Sequence, residues 1–191
     1  IIQIVFLSGK SGMGAYSKGK SIRKRDKSVY SREEAGHWEA DTVVSGQGKS
    51  KACFATLAER KTRFYIAMKM SDRRAETMEN AIVAALSAFP PQLVKTITCD
   101  RGTEFANWRR IEERLHCEVY FADPYCAWQK GTNENLNGLL REFYPKGRNL
   151  SRVAPATLKR NLALLNARPR KVLYFHSAQE LWDFELNSCC T

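Results

Sequence analysis

Residues 37–70 hold three β-like runs joined by loops too short to cross a sheet, and this limits the possible folds more than any other feature. The first run, HWEADTVV, is rich in β-branched and aromatic residues and enters the turn-forming SGQGKSK. KACFATLAER follows, and after the break KTR comes FYIAMKM. Such strands must pair antiparallel, because a parallel pair needs a crossover of a dozen or more residues. Beyond residue 70 the period changes. Ile82, Ala85, Leu86 and Phe89 recur at helical spacing in a helix predicted over 75–89, capped by Ser71 or Asp72 and stopped by Pro90-Pro91. TITCD is a short buried strand, ANWRRIEERLHC a helix, and EVYFA a fifth strand ended by Asp123-Pro124. The loop YCAWQKGT leads into the helix NENLNGLLREFY. PATLKRNLALLNAR gives another helix, and a short one is expected within RKVLYFHSAQELWDF.

The strand–helix–strand units call for parallel pairing with right-handed crossovers. The expected architecture is therefore α/β, a mixed five-stranded sheet flanked by helices. That order matches the ribonuclease-H-like fold, a likeness that by itself carries no chemistry.

At 191 residues the chain suits one domain, and 43% hydrophobic residues suffice for a core. Lys and Arg outnumber Asp and Glu by 31 to 20, a formal charge of +11. Such a surplus favours a polyanionic partner, since each cation set against a phosphate releases condensed counterions. DNA, ribosomal RNA and an anionic membrane surface would all satisfy it. Residues 1–35, basic and poor in apolar periodicity, read as a flexible linker left from an absent N-terminal region. Residues 36–185 form the core, and 186–191 read as a disordered tail.

Several classes are excluded. The six cysteines form no C-x-x-C pair, which argues against a structural zinc site and for a reducing, cytoplasmic compartment. No run approaches the ~20 apolar residues of a membrane span. GQGKS resembles the end of a phosphate-binding loop, but Val43 stands where that motif needs Gly.

The candidate chemistry lies in carboxylates. Asp41 sits inside the first strand, where an acid is out of place by propensity, and shares a face with Glu39 and Val43. Asp100 ends TITCD, and ligands gather at such strand ends in α/β sheets. Glu134 opens a helix nearly opposite its Leu136–Leu140–Phe143 stripe. Three such acids can converge on hard cations, Mg²⁺ or Mn²⁺, and a pair of ions roughly 4 Å apart suits in-line displacement at phosphorus. Glu39, Glu104 and Asp123 remain rivals on pattern alone.

The blocks GHWEADTVV, LAERKTRF, LVKTITCDRGTEFAN, VYFADPYCAWQKGTNENLNGLLREFYPKG and LNARPRK resemble the catalytic domain of the insertion-sequence-thirty family of bacterial transposases. The resemblance covers about residues 36–185 and implies an Asp, Asp, Glu triad at Asp41, Asp100 and Glu134, with 33 residues between the last two. It implies two metal ions, hydrolysis of a phosphodiester at an element end, and attack of the exposed 3′ hydroxyl on target DNA. The implied partners are double-stranded DNA and further copies of the chain on it, with no membrane, in a nucleoid-associated location. Trp128, Gln129, Lys130, Asn133, Asn137, Arg141, Lys146, Arg148, Arg168, Arg170 and Lys171 are the expected DNA contacts. The sequence departs from the family at Arg101, where Asn is common, and at Cys126-Ala127, where Ser-Pro is usual. The upstream helix-turn-helix region that reads element ends in the family is expected to be missing. A DNA-binding remnant without catalysis and a ribonuclease-H-type nuclease are the alternatives.

Overall fold

The computed structural model describes residues 19–189. Six strands, β1 (Lys20–Ser21), β2 (His37–Val44), β3 (Cys53–Glu59), β4 (Tyr65–Met70), β5 (Thr96–Cys99) and β6 (Glu118–Phe121), form one mixed sheet in the order β1-β6-β5-β2-β3-β4. β2, β3 and β4 pair antiparallel, as their short connections require, and β5 and β6 run parallel to β2. Helix α1 (Ala75–Leu86) links β4 to β5 and α2 (Trp108–Leu115) links β5 to β6. Three more follow: α3 (Gly131–Phe143), α4 (Pro155–Ala167) and α5 (Ala178–Ser188).

Alternation along the strands gives the sheet two buried faces. On one, Trp38, Ala40, Leu57, Ile97 and Cys99 pack with Ile82 and Leu86 of α1, Ile111 of α2 and Trp182 of α5. Trp38 anchors this layer. Its ring meets Trp182 edge-on at 5.3 Å, and its indole N–H donates to the Leu93 carbonyl at 2.8 Å. On the other face Val43, Phe54, Ala58 and Tyr65 pack with Leu136 and Leu140 of α3 and Leu158 and Leu165 of α4. Glu39 and Asp41 share that second face with Val43, so both acids point toward α3 and hydrogen-bond to it.

Several expectations change. The sheet gains a sixth strand because the described part of the expected linker is built into the fold. Ile22 and Val29 are buried, and Arg25 is buried with them, its Nη1 donating to Thr98 Oγ1 at 2.7 Å. Lys20 and Arg23 pair with Glu118 and Asp123 at 3.1 and 3.0 Å. Two apolar side chains thus dock a segment whose basic residues find counter-charges on β6 and the loop after it. Residues 1–18 lie outside the described residues. At the other end α5 runs to Ser188, and Leu186 and Cys189 pack against the core, so the expected disordered tail is helical at its start. Residues 190–191 lie outside the described residues. Helix α1 ends at Leu86, short of Phe89, and carries no side-chain cap at Arg74. Asp72 instead accepts the Arg74 N–H and the Thr77 hydroxyl.

Candidate active site

The last paired residues of β2 and β5 are Glu39 and Thr98. Continued two residues further, that parallel register sets Asp41 beside Asp100, the first residue past β5. Asp100 Oδ1 accepts the Gly102 N–H at 2.8 Å. A Cβ at Gly102 would lie 2.4 Å from Glu104 Oε2 and 2.9 Å from Asp100 Oδ1, so a larger residue there would push both carboxylates aside. Glu104 is buried, held by Arg73 and by the Thr42 hydroxyl at 3.0 Å, and its Oε2 has no hydrogen-bond partner.

Asp41 and Asp100 converge on one cationic group. Lys130 Nζ lies 3.3 Å from Asp41 Oδ1 and 3.1 Å from Asp100 Oδ2, and it also donates to the Ala40 carbonyl at 3.3 Å. Burial pulls the Lys130 pKa down, but Asp41 and Asp100 outweigh that, and the net shift is upward. The ammonium is therefore charged at neutral pH. It occupies the position in which a bound cation would meet both acids.

Helix α3 is fixed against this pair by buried polar contacts. The Asn133 N–H donates to Glu39 Oε2 at 2.8 Å, and Asn133 Nδ2 donates to the Glu39 and Thr56 carbonyls at 2.7 and 3.2 Å. Thr56 Oγ1 donates to Asn133 Oδ1 at 3.1 Å, and Arg60 Nη1 bonds the other Glu39 oxygen. Glu39, a rival of Asp41 on pattern, thus has both oxygens taken, one by the start of α3 and one by Arg60. One turn on, Asn137 Nδ2 donates to Asp41 Oδ2 at 2.9 Å while its Oδ1 accepts the Tyr65 hydroxyl at 2.6 Å. Burial pushes the Tyr65 phenol pKa up, which keeps it a donor.

Glu134 is exposed and lines a depression of about 350 Å³ together with Asp41, Asp100, Arg101 and Lys130. The Arg101 guanidinium lies over the Phe121 ring at 5.5 Å, which ties it to β6 rather than to Asp100. Carboxylate oxygens are the donor type that hard divalent ions take. As the side chains stand, no three His, Cys, Asp or Glu among the described residues are close enough to hold an ion. Asp41 and Asp100 are preassembled, and Glu134 stands apart on the rim.

The expected DNA contacts divide. Trp128 is exposed, as are Lys146, Arg148, Arg168 and Lys171. Lys130 and Asn133 are buried and bonded within the protein, and Lys130 also lines the depression beside Glu134. Gln129 is bound to Asp123, accepting its N–H at 2.7 Å. Arg141 donates to the Val44 carbonyl and Arg170 to the carbonyls of Arg63 and Leu165, so both are partly committed. Pattern reading missed Tyr65, whose place under Asn137 leaves no local signal.

The order and pairing of these strands and helices are those of a ribonuclease-H-like core. The chain belongs to the integrase core domain family, which its residues 31–127 match. It is 37% identical over 165 residues to the probable transposase for insertion-like sequence element IS1161 of Streptococcus salivarius, covering 86% of this chain and 46% of that protein. It is 35% identical over 173 residues to transposase InsI for insertion sequence element IS30C of Escherichia coli K12, covering 91% and 44%. The chain spans less than half the length of these relatives. Among solved structures, the HTLV-2 integrase catalytic core domain in complex with magnesium shares the fold, with a TM-score of 0.58, 14% identity and coverage of 77% and 95%. No helix among the described residues is long and apolar enough to cross a membrane.

Proposed function

We propose that the chain is the catalytic core of a DNA transposase, acting on double-stranded DNA as an assembly of several copies. The observation that carries this is the convergence of Asp41 and Asp100 on one cationic group, in a depression that Glu134 borders. The residues fit a divalent cation: the donors are carboxylate oxygens, and a positive charge already sits between two of them. Asp41, Asp100 and Glu134 would hold Mg²⁺ or Mn²⁺, most simply two ions, which supply Lewis-acid stabilisation of phosphoryl transfer when bound.

The protein's own groups do the rest. Asn137, steadied by Tyr65, aims the Asp41 carboxylate, and the Gly102 N–H aims that of Asp100. Asn133 and Glu39 set the start of α3 and so the place of Glu134. In the first reaction a water oxygen bonds to phosphorus at the element end as the bond to the 3′ oxygen breaks, leaving a 3′ hydroxyl. In the second that hydroxyl bonds to a target phosphorus and displaces the target's own 3′ oxygen. Neither reaction needs a covalent protein–DNA intermediate. The test is DNA cleavage and joining with Mg²⁺ or Mn²⁺, with Asp100→Asn beside the parent. Loss of both reactions in the variant supports the reading, and equal activity in the two refutes it.

A further inference from the structure

A second depression, of about 270 Å³, lies on the other side of the start of α3 and is unlike the first in charge. Arg32, Arg63 and Arg170 reach its wall, with Gly131, Thr132 and Asn135 of α3, and no carboxylate lines it. The two acids whose charge acts on Arg32, Glu39 and Glu59, are already engaged. Glu39 is taken by Arg60 and Asn133, and Glu59 by the N–H groups of Gly36 and Thr62 and the Thr62 hydroxyl.

Two of the three arginines are held by hydrogen bonds. Arg63 Nη1 donates to Thr132 Oγ1 at 3.0 Å, and Arg170 is fixed by carbonyls at 3.2 and 2.9 Å. Arg170 Nε is buried with no hydrogen-bond partner. Burial lowers the pKa of Arg32 and of Arg170, with Arg60 and Arg168 adding like charge, while at Arg32 the carboxylates of Glu39 and Glu59 oppose the shift in part. The positive end of the thirteen-residue helix α3 adds to the same field. Three guanidinium forks in a concave site match the tetrahedral oxygens of a phosphate, which Arg binds through paired N–H donors.

We propose that this pocket binds a backbone phosphate of DNA, one other than the phosphate at which the chemistry occurs. The inference rests on the strand-transfer reading for its choice of ligand. Glu134 and Asn135 are neighbours on α3, with Cα atoms about 3.8 Å apart, yet line different depressions. One duplex can therefore reach both, its phosphates alternately near the acids and in the arginine pocket. Such a contact would set the position of the strand without reading its sequence.

The experiment is salt-dependent binding of a labelled duplex of about 20 base pairs, followed by anisotropy in EDTA, for the parent and for Arg32→Gln and Arg63→Gln. Thermal melting verifies that each variant folds, and the pair separates a general loss of structure from loss of a phosphate contact. Each substitution should weaken binding about tenfold at ~0.1 M salt and reduce the log–log salt slope by about one. Unchanged affinity and slope in folded variants overturn the proposal. Inorganic phosphate, set against chloride at equal ionic strength, is the second arm. Stabilisation of the parent by phosphate with no change of DNA slope in the variants would assign the pocket to the free ion and overturn the DNA assignment. Because binding is read without divalent ions, a chain that shows the slope change but never cuts DNA sinks the strand-transfer reading and leaves the pocket. A chain that cuts DNA with unchanged slopes sinks the pocket alone.

Discussion

Asn133→Ala separates two readings of one residue. By sequence Asn133 is a polar group at a helix start, free to touch DNA. In the fold its side chain has no exposure and makes three hydrogen bonds, to the Glu39 and Thr56 carbonyls and from the Thr56 hydroxyl. The fourth contact of the residue, its N–H to Glu39 Oε2, belongs to the main chain and survives truncation. Buried hydrogen bonds are worth about 1 kcal/mol each, and a buried group left unpartnered costs ~1–3 kcal/mol. Loss of three bonds therefore gives a destabilisation of about 3 kcal/mol, a large share of the ~5–15 kcal/mol by which domains are stable. For a chain of this size that lowers the melting temperature by ~6–12 °C.

The assay is urea and thermal unfolding of Asn133→Ala beside Asn135→Ala, whose side chain is exposed and whose loss should change stability by no more than ~0.5 kcal/mol. Cleavage activity should fall as well, because the same contacts place Glu134. If Asn133→Ala melts with the parent while its DNA affinity drops, Asn133 faces DNA, and the account of how α3 is fixed is wrong.

Lys130→Met should lower the melting temperature in EDTA, by a modest amount because Asp41 and Asp100 are partly exposed and water can replace the ammonium. Added Mn²⁺ should then raise it more than it raises that of the parent, and an equal response in the two proteins would show that Lys130 does not hold the cation position. Acid sensitivity has a separate origin, at the start of the interior strands β2 and β5. Hydrogen bonds from Lys95 and His37 hold the Glu34 carboxyl at about 2, below its ordinary 4.5. Its contribution to stability is thus full above pH 4.5 and is lost as pH falls toward 2. Urea midpoints at pH 5 and pH 3 should drop further in the parent than in Glu34→Gln, and parallel drops would refute the assignment.

What could be read from sequence was what is local. The strands and helices follow from periods of two and 3.6 residues, and Asp100 stood out because it ends a short apolar run. Asp41 was ambiguous with Glu39, since both point to the same face, and only the pairing of β2 with β5 sets Asp41 beside Asp100. The contacts that could not be read are those whose partners are distant. Asn133 bonds a strand 94 positions earlier, Lys130 a carbonyl 90 positions earlier, and Arg23 an acid 100 positions later. Each side chain is polar and sits among polar or basic neighbours, so its local surroundings describe a surface that the fold then buries or pairs. Ile22 and Val29 were lost in the same way, two apolar residues diluted among lysines and arginines.

The charge at the site has a consequence for its third acid. One oxygen of each aspartate lies within 3.3 Å of the same nitrogen, so these two oxygens are at most about 6.4 Å apart. At an effective dielectric of ~20 they repel by ~3 kcal/mol, a tension the single charge of Lys130 offsets. The ammonium can serve two carboxylates but has no capacity left for another, since its third donor is taken by the Ala40 carbonyl. Glu134 accordingly stays on the rim, exposed and out of reach of the pair. On the proposed function, drawing in a third carboxylate needs more positive charge than one lysine carries. Divalent ions would supply that charge, and Asp41, Asp100 and Glu134 are the carboxylates that would hold them.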